Sequence, residues 1–150
     1  MREGQKFGKI VVAFDGSENS SRAAGVAAKL AGKFGSKLVV VHVYSSPILP
    51  YSAAGAPVPN YAELEKSAED SARNTLTMGV QIAKNSGAEA RGELLEASST
   101  VQALVELSTN EKADLLVVGT RGMTGFKKLI LGSVSSGLVA HAGCSVLVVR

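Results

Sequence analysis

Short apolar segments punctuate the chain, and each has the length of a buried strand rather than of a membrane span. KLVVVHVY is rich in β-branched residues, the first segment ends in Asp15-Gly16-Ser17, and the fourth is bounded by Gly119. Continuous runs of this kind are typical of parallel strands covered on both faces. The segment from Ala90 is the weakest of the set. The predicted strands are Lys9–Phe14, Lys37–Tyr44, Ala90–Leu95, Leu115–Val118 and Ser145–Val149.

Between the strands, apolar residues recur at the three- and four-residue spacing of a helix face. The first predicted helix stops at Gly35, and the longest covers residues 62–86. The third opens at the capping-box sequence Ser99-x-x-Gln102, and the last runs from residue 133 to about residue 142, with Gly143 as its stop and Gly137 indicating close packing. The predicted buried positions are Ala23, Ala27, Leu30, Ala31 and Phe34 in the first helix, Leu64, Ala68, Ala72, Leu76, Val80 and Ala83 in the second, and Val101, Leu104, Val105 and Leu107 in the third.

This alternation of strands and helices predicts one α/β domain over residues 1–150. Right-handed crossovers place helices on both faces of a five-stranded parallel sheet, which gives a three-layer architecture. Two strand orders remain open from the pattern, 3-2-1-4-5 and 2-1-3-4-5. In the first order the chain reverses between strands one and four, so Asp15 and Gly119 would flank a ligand crevice at the carboxyl edge of the sheet.

A glycine-rich segment follows the fourth strand and has the composition of an anion-binding loop. Gly119-x-x-Gly122 is followed by nine residues and then by Gly132-Ser133, with Arg121 inside the segment. Glycines permit close backbone approach and concave arrays of N–H groups, and Ser133 is predicted to cap a helix whose positive end faces the same ligand. Glycines that merely turn the chain are the simpler alternative. The spacing matches neither the Walker pattern nor the dinucleotide fingerprint.

Asp15 comes directly after the first strand, where α/β sheets bind ligands. It is expected either to hold a ribose, an adenine edge or a metal ion, or to cap the following helix. His42 lies among valines and is interpreted as a satisfied histidine of the core. With His141 as the only other histidine, the sequence builds no histidine metal cluster.

Residues 45–61 contain all four prolines and no charged residue, which excludes a regular helix or a central strand. A loop of this length inside a compact domain is typically functional or disordered. Because it leaves the carboxyl end of the second strand, we interpret it as a flap over the predicted crevice, with disorder as the alternative.

Composition excludes several classes of partner. The net charge is +3 with dispersed basic residues, aromatic residues make up 5% and tryptophan is absent, so nucleic acid is not an expected partner. No segment has the apolar length of a membrane helix, and residues 1–8 lack a signal-peptide core, so a cytoplasmic location without membrane contact is expected. The single cysteine, Cys144, is expected to be a small core residue.

The glycine signature resembles that of the universal stress protein family, in its ATP-binding branch. Similar segments are the opening KIVVAFDGS, the second strand ending at His42-Val43, and the closing CSVLVV. The resemblance covers nearly the whole chain. It implies the strand order 3-2-1-4-5, a Rossmann-like fold of the adenine nucleotide alpha hydrolase type, and a homodimer formed along the last strand. Gly143 and Ser145 stand where relatives often carry prolines, a departure at the dimer edge.

The resemblance also implies a site for ATP, or AMP or ADP, with Mg²⁺ as a possible companion of a triphosphate. The backbone of Val43 would read adenine, Asp15 would hold ribose or the metal, and Arg121 is expected to reach phosphate or point outward. The full set of implied nucleotide-binding residues is Ala13, Asp15, Val43, Val118, Gly119, Arg121, Gly122, Gly132, Ser133, Val134 and Ser135.

The implied function is a nucleotide-dependent stress-response or signalling module. A slow ATPase is the first alternative, although the sequence identifies no general base near the phosphates. An adenylating enzyme would need a loop such as S-G-G-x-D-S after the first strand, which FDGSE does not provide. A structural relative that binds no nucleotide would have a broken glycine signature, and here the signature is intact.

Overall fold

The computed structural model describes residues 7–47, 51–120 and 131–150. Within them, strands and helices alternate as the sequence predicts, with most boundaries within about two residues of the predicted ones. The elements are β1 (Lys9–Ala13), α1 (Glu18–Phe34), β2 (Lys37–Tyr44), α2 (Tyr61–Asn85), β3 (Ala90–Glu96), α3 (Thr100–Asn110), β4 (Leu115–Gly119), α4 (Ser133–His141) and β5 (Ser145–Val149).

The five strands form one parallel sheet in the order β3-β2-β1-β4-β5. This order confirms the fold implied by the family resemblance and excludes the alternative that the hydrophobic pattern left open. β1 lies in the middle, with Val11 beside Val39 of β2 on one side and beside Leu116 of β4 on the other. The three central strands therefore bring their carboxyl ends together at one edge of the sheet.

Two hydrophobic cores lie on opposite faces of the sheet because successive strand residues alternate between faces. Val12 and Val40 face the layer formed by α1 and α2, whereas Val11 and Val41 face the layer of α3 and α4. All four valines are at most 1% exposed. This double coverage explains why the strands are continuously apolar.

The start and the end of helix α1 are set by capping residues that can be recognised in the sequence. The hydroxyl of Ser17 accepts a hydrogen bond from the amide of Ser20 and caps the helix, and Gly35 ends it in a left-handed conformation with φ of 67°. The small residues Ala23 and Ala27 are fully buried against the sheet. The prediction for Phe34 was wrong: its side chain is 43% exposed and packs near the ring of Phe7 instead of in the core.

Helix α2 extends beyond the part of the sheet that it covers. Its buried residues begin at Ala72, so Leu64, about two turns earlier, is 48% exposed and is not the core residue that its spacing predicted. Further along, Gly79 lets the helix approach the sheet, because a Cβ there would lie 2.6 Å from Cδ1 of Phe14. The second half of α2 therefore packs against the end of β1.

Helices α3 and α4 pack closely on the opposite face. Gly137 makes this possible, because a Cβ there would lie 2.7 Å from Cγ2 of Val101. The hydroxyl of Ser99 caps α3 by accepting from the amide of Gln102, but the Gln102 side chain donates to Glu106, so only half of the predicted capping box forms.

The end of α4 differs from its prediction. Ala142 follows the helix with an extended backbone, φ −65° and ψ 140°, and its amide donates to the Leu138 carbonyl. Gly143 is therefore not the residue that stops the helix. Among the described helices, none is long and apolar enough to cross a membrane.

The proline-rich segment contains no regular helix or strand in its described residues, 45–47 and 51–60, as predicted. A single antiparallel bridge joins Tyr51 to Pro57. The hydroxyl of Tyr61, the first residue of α2, donates to the carbonyl of Pro47 at 2.7 Å and ties the two ends of the segment together. Its interpretation as a flap remains a prediction.

Candidate functional site

The candidate site lies at the carboxyl edge of the sheet, where the connections from β1 and β4 lead to opposite sides. Such a switch point is where open α/β sheets bind their ligands. Asp15 follows β1 here, and Gly119 is the last residue of β4. Ala13 and Val118, which come one position after the paired Val12 and Val117, pack in the core beneath this edge.

Asp15 is exposed and is held in place by one of its two carboxylate oxygens. Its Oδ1 accepts from the Ser17 amide at 2.9 Å, and its own amide donates to the Ser20 hydroxyl at 3.3 Å. Gly16 turns the chain between them with φ of 84°. Asp15 is thus not the helix cap, a role that Ser17 fills. Among the described residues, the second carboxylate oxygen of Asp15, Oδ2, accepts no hydrogen bond, which leaves it for a ligand.

Position 119 requires glycine because of close packing against α1, not because of a turn in the chain. A Cβ on this buried residue would lie 2.9 Å from the backbone carbon of Asn19, in the first turn of α1. Real Cβ atoms do not approach a backbone so closely, so any side chain would push α1 away from β4. This glycine therefore allows the start of α1 to lie directly against the carboxyl end of β4.

Thr120 closes the base of the glycine-rich loop. Its carbonyl accepts from the Gly132 amide at 2.6 Å and from the Ser135 hydroxyl at 3.0 Å, and its own amide donates to the carbonyl of Val149. Thr120 and Ser135 are both buried. The Gly132 amide and the Ser135 hydroxyl therefore hold the two ends of the loop together.

Among the described residues, three backbone amides at the start of α4 have no hydrogen-bond acceptor. Gly132 is the N-cap residue and Ser133 is the first helical residue, so the prediction of Ser133 as the cap was wrong. The first helical hydrogen bond runs from the amide of Ser136 to the Gly132 carbonyl. The preceding amides, those of Ser133, Val134 and Ser135, have no intrahelical acceptor and lie at the positive end of the helix dipole.

The carboxyl end of β2 offers both a donor and an acceptor. Along β2 the backbone groups alternate between neighbours: the Val41 carbonyl accepts from Phe14 on the β1 side, and the Tyr44 carbonyl accepts from Ala97 on the β3 side. Val43 has the same parity as Val41, so its N–H and C=O face the β1 side. In the described part of the chain neither group has a hydrogen-bonding partner.

His42 lies beside Val43, with its Nδ1 2.8 Å from the carbonyl of Phe14. The interpretation of His42 as a satisfied histidine is confirmed, although the side chain is half-buried rather than enclosed. Among the residues that the structure describes, no group of three or more His, Cys, Asp or Glu side chains could hold a metal ion. A metal at Asp15 would depend on oxygen ligands from a bound molecule.

Two titratable groups near the sheet are perturbed without forming a catalytic pair. Burial raises the pKa of the Cys144 thiol, which keeps this half-buried residue in its unreactive form and fits its expected structural role. Burial, and then the charge of Glu96, raises the pKa of the Tyr44 hydroxyl at the end of β2. Both groups therefore stay protonated at neutral pH.

The structure thus places Ala13, Asp15, Val43, Val118 and Gly119 around one edge of the sheet. The start of α4, at residues 132–135, joins the same edge through Thr120. Arg121 and Gly122 lie outside the described residues. Sequence reasoning missed the loop-closing role of Thr120 and the link between His42 and β1, because both depend on contacts between neighbouring strands.

Comparison with known proteins gives the same fold. The model of the universal stress protein family matches residues 6–150. A universal stress protein from Thermus aquaticus is 35% identical over 96% of this chain and 99% of its own length. A universal stress protein solved in complex with cAMP superposes with a TM-score of 0.72 and 29% identity, covering 97% of this chain and 98% of that one. UspA from Lactobacillus plantarum shares the fold, with a TM-score of 0.81 at 22% identity, covering 97% and 99% of the two chains. With a family model that spans almost all of its residues, this chain belongs to the universal stress protein family.

Proposed function

We propose that this protein binds an adenine nucleotide, with ATP as the preferred form, and acts as a nucleotide-dependent stress-response or signalling module. The observation that carries the proposal is the amino end of α4 at the carboxyl edge of β4, where three amides have no acceptor among the described residues and point to a phosphate ligand. The relative solved with cAMP supports an adenine nucleotide as the ligand.

The open groups fit the parts of such a ligand. Adenine carries a ring nitrogen acceptor beside an amino donor, which complements the N–H and C=O of Val43. Phosphate oxygens would accept from the amides of Ser133, Val134 and Ser135. Asp15 would accept from ribose hydroxyls, and Ala13 and Val118 would form the apolar floor between base and phosphate.

Gly119, Arg121 and Gly122 complete the proposed phosphate loop, with Gly132 at its closed base. Arg121 would add a positive charge to the backbone amides. Mg²⁺ fits this donor set through the bound phosphates, because Asp15 follows β1 directly and the described residues hold no group of three His, Cys, Asp or Glu side chains that could bind a metal ion. We therefore propose Mg²⁺ as a companion of the triphosphate rather than a resident ion.

A binding module is favoured over an ATPase because neither histidine is placed to act as a general base. His42 is engaged by the Phe14 carbonyl, and His141 ends α4 at the opposite end from Ser133. Under single-turnover conditions, release of phosphate within minutes would support the slow ATPase instead.

We also propose a cytoplasmic homodimer that forms along β5. This strand lies at an edge of the sheet and is apolar from Val146 to Val149, and such an edge is prone to pair with another strand. The cytoplasmic location is inferred from the ligand and from a single cysteine that has no internal partner for a disulfide.

Isothermal titration calorimetry on the purified protein tests the ligand assignment. ATP should bind with measurable heat. AMP should bind at lower affinity because it makes fewer phosphate contacts, and inorganic tripolyphosphate should bind more weakly than ATP because it lacks the base. Mass spectrometry of nucleotide retained on the fresh protein identifies the cellular form. Absence of heat with every adenine nucleotide would refute the proposal.

A further inference from the structure

The hydrogen bonds between β1 and β2 end one bond before the strands themselves require. The register runs to Ala13 beside Val41, and the amide of Phe14 continues it by donating to the Val41 carbonyl at 2.8 Å. In a parallel ladder the next bond would run from the Val43 amide to the Phe14 carbonyl. The structure does not form this bond.

The imidazole of His42 takes the place of that missing donor. Its Nδ1 lies 2.8 Å from the Phe14 carbonyl, and since a carbonyl only accepts, Nδ1 carries the hydrogen. His42 has the parity of Leu38 and Val40, whose side chains lie on the α1 and α2 face of the sheet. The Phe14 carbonyl is therefore drawn toward that face and away from the Val43 amide.

Packing on the same face holds Phe14 in this position. The ring is 2% exposed and lies against Gly79 of α2, where no Cβ could be accommodated. The next residue, Asp15, begins the turn that leads into α1. The chain therefore leaves the sheet at Phe14, and the β1 side of Val43 meets no backbone partner in the part of the chain that the structure describes.

We propose that His42 is a positioning residue for base recognition. By satisfying the Phe14 carbonyl, it prevents the ladder from closing and keeps the N–H of Val43 available, beside its C=O, to the edge of adenine. This inference rests on the proposed function and gives it a specific cause: the base subsite exists because a side chain has replaced a backbone hydrogen bond.

Substitutions at His42 separate this role from a general role in folding. His42→Leu removes the donor, His42→Asn keeps a side-chain N–H at the distance of Nδ1 from the backbone, and His42→Gln places it one bond further away. Each variant is titrated with ATP and, in parallel, with inorganic tripolyphosphate, which reports on the phosphate loop without the base.

His42→Leu should weaken ATP binding roughly 3- to 10-fold, the cost of about one backbone hydrogen bond. Binding of tripolyphosphate should stay within about twofold, because the amides of α4 are untouched. His42→Asn should recover most of the ATP affinity, and His42→Gln should not.

Three results decide the matter. Unchanged ATP affinity in His42→Leu, or an equal loss for ATP and tripolyphosphate, would overturn the positioning role while leaving the proposed function in place. Wild-type protein that binds neither compound would remove the proposed function and this inference together. If His42→Leu does not fold, long-range ¹H–¹⁵N spectra of the wild-type imidazole decide instead: a neutral ring protonated at Nδ1 supports the role, and one protonated only at Nε2 overturns it.

Discussion

Replacing Ser133 by proline removes one backbone amide from the start of α4 while keeping the helix. Ser133 is the first helical residue, whose N–H has no intrahelical acceptor, and proline is favoured at this position. The residue before a proline must be extended, and Gly132 already is, with φ −74° and ψ 172°. The substitution therefore subtracts a hydrogen-bond donor without imposing a new backbone conformation.

The expected loss follows from the charge of the acceptor. A hydrogen bond from a backbone amide to a charged group contributes about 1.5–3 kcal/mol, so Ser133→Pro should weaken ATP binding roughly 10- to 150-fold. The free energy of unfolding should change by less than about 1 kcal/mol, because the lost amide has no partner among the described residues and proline is favoured at the first helical position.

Calorimetric titration with ATP, together with chemical denaturation, measures both quantities. Ser133→Ala is the matched control: it removes the hydroxyl but keeps the amide, and should bind ATP within a few-fold of the wild type. Wild-type affinity in Ser133→Pro would refute the role of the α4 amides. An equal loss in Ser133→Ala would transfer the contact to the hydroxyl.

Three further substitutions test the surrounding structure. Gly119→Ala should destabilise the fold by about 1–3 kcal/mol in urea denaturation, because its Cβ would press on the backbone of Asn19; unchanged stability would refute that contact. Hydrogen bonds from a lysine and an arginine lower the pKa of Glu111 in the folded protein. The stability that Glu111 contributes is therefore fully present above its unfolded-state pKa of about 4.3, and it is lost as the pH falls through the lower folded-state pKa. Glu111→Gln should therefore flatten the acid limb of the unfolding free energy against pH, and an unaltered limb would contradict this. Strand alternation places the Val148 amide on the side of β5 away from β4, so Val148→Pro should convert a dimer into a folded monomer in sedimentation experiments; a persistent dimer would exclude this edge as the interface.

The positions of the elements could be predicted because their signals are local. The apolar runs of β1 and β2 and the glycine after α1 identify their boundaries without reference to other parts of the chain. Strand order required the family resemblance, because two arrangements bury the same runs equally well. Phe34 and Leu64 have helical spacing, but Phe34 packs near Phe7 and Leu64 precedes the buried part of α2, which the spacing alone does not encode.

The sequence indicated which residues lie at the site better than it indicated what each of them does. Gly119 was expected to serve an anion loop, yet its missing side chain makes room for α1, a contact between segments 100 residues apart. Ser133 was one residue from its predicted role, since Gly132 occupies the cap. The hydrogen bond between His42 and Phe14 depends on the register of two strands and therefore has no sequence signal of its own.

The most direct test of the central claim is a ¹H–¹⁵N spectrum of the labelled protein titrated with ATP. We expect the amides of Ser133, Val134 and Val43 to shift together and saturate at one ATP per chain, because they bind the two ends of the same molecule. Shifts confined to one of these two regions, or saturation at different concentrations, would contradict a single nucleotide site.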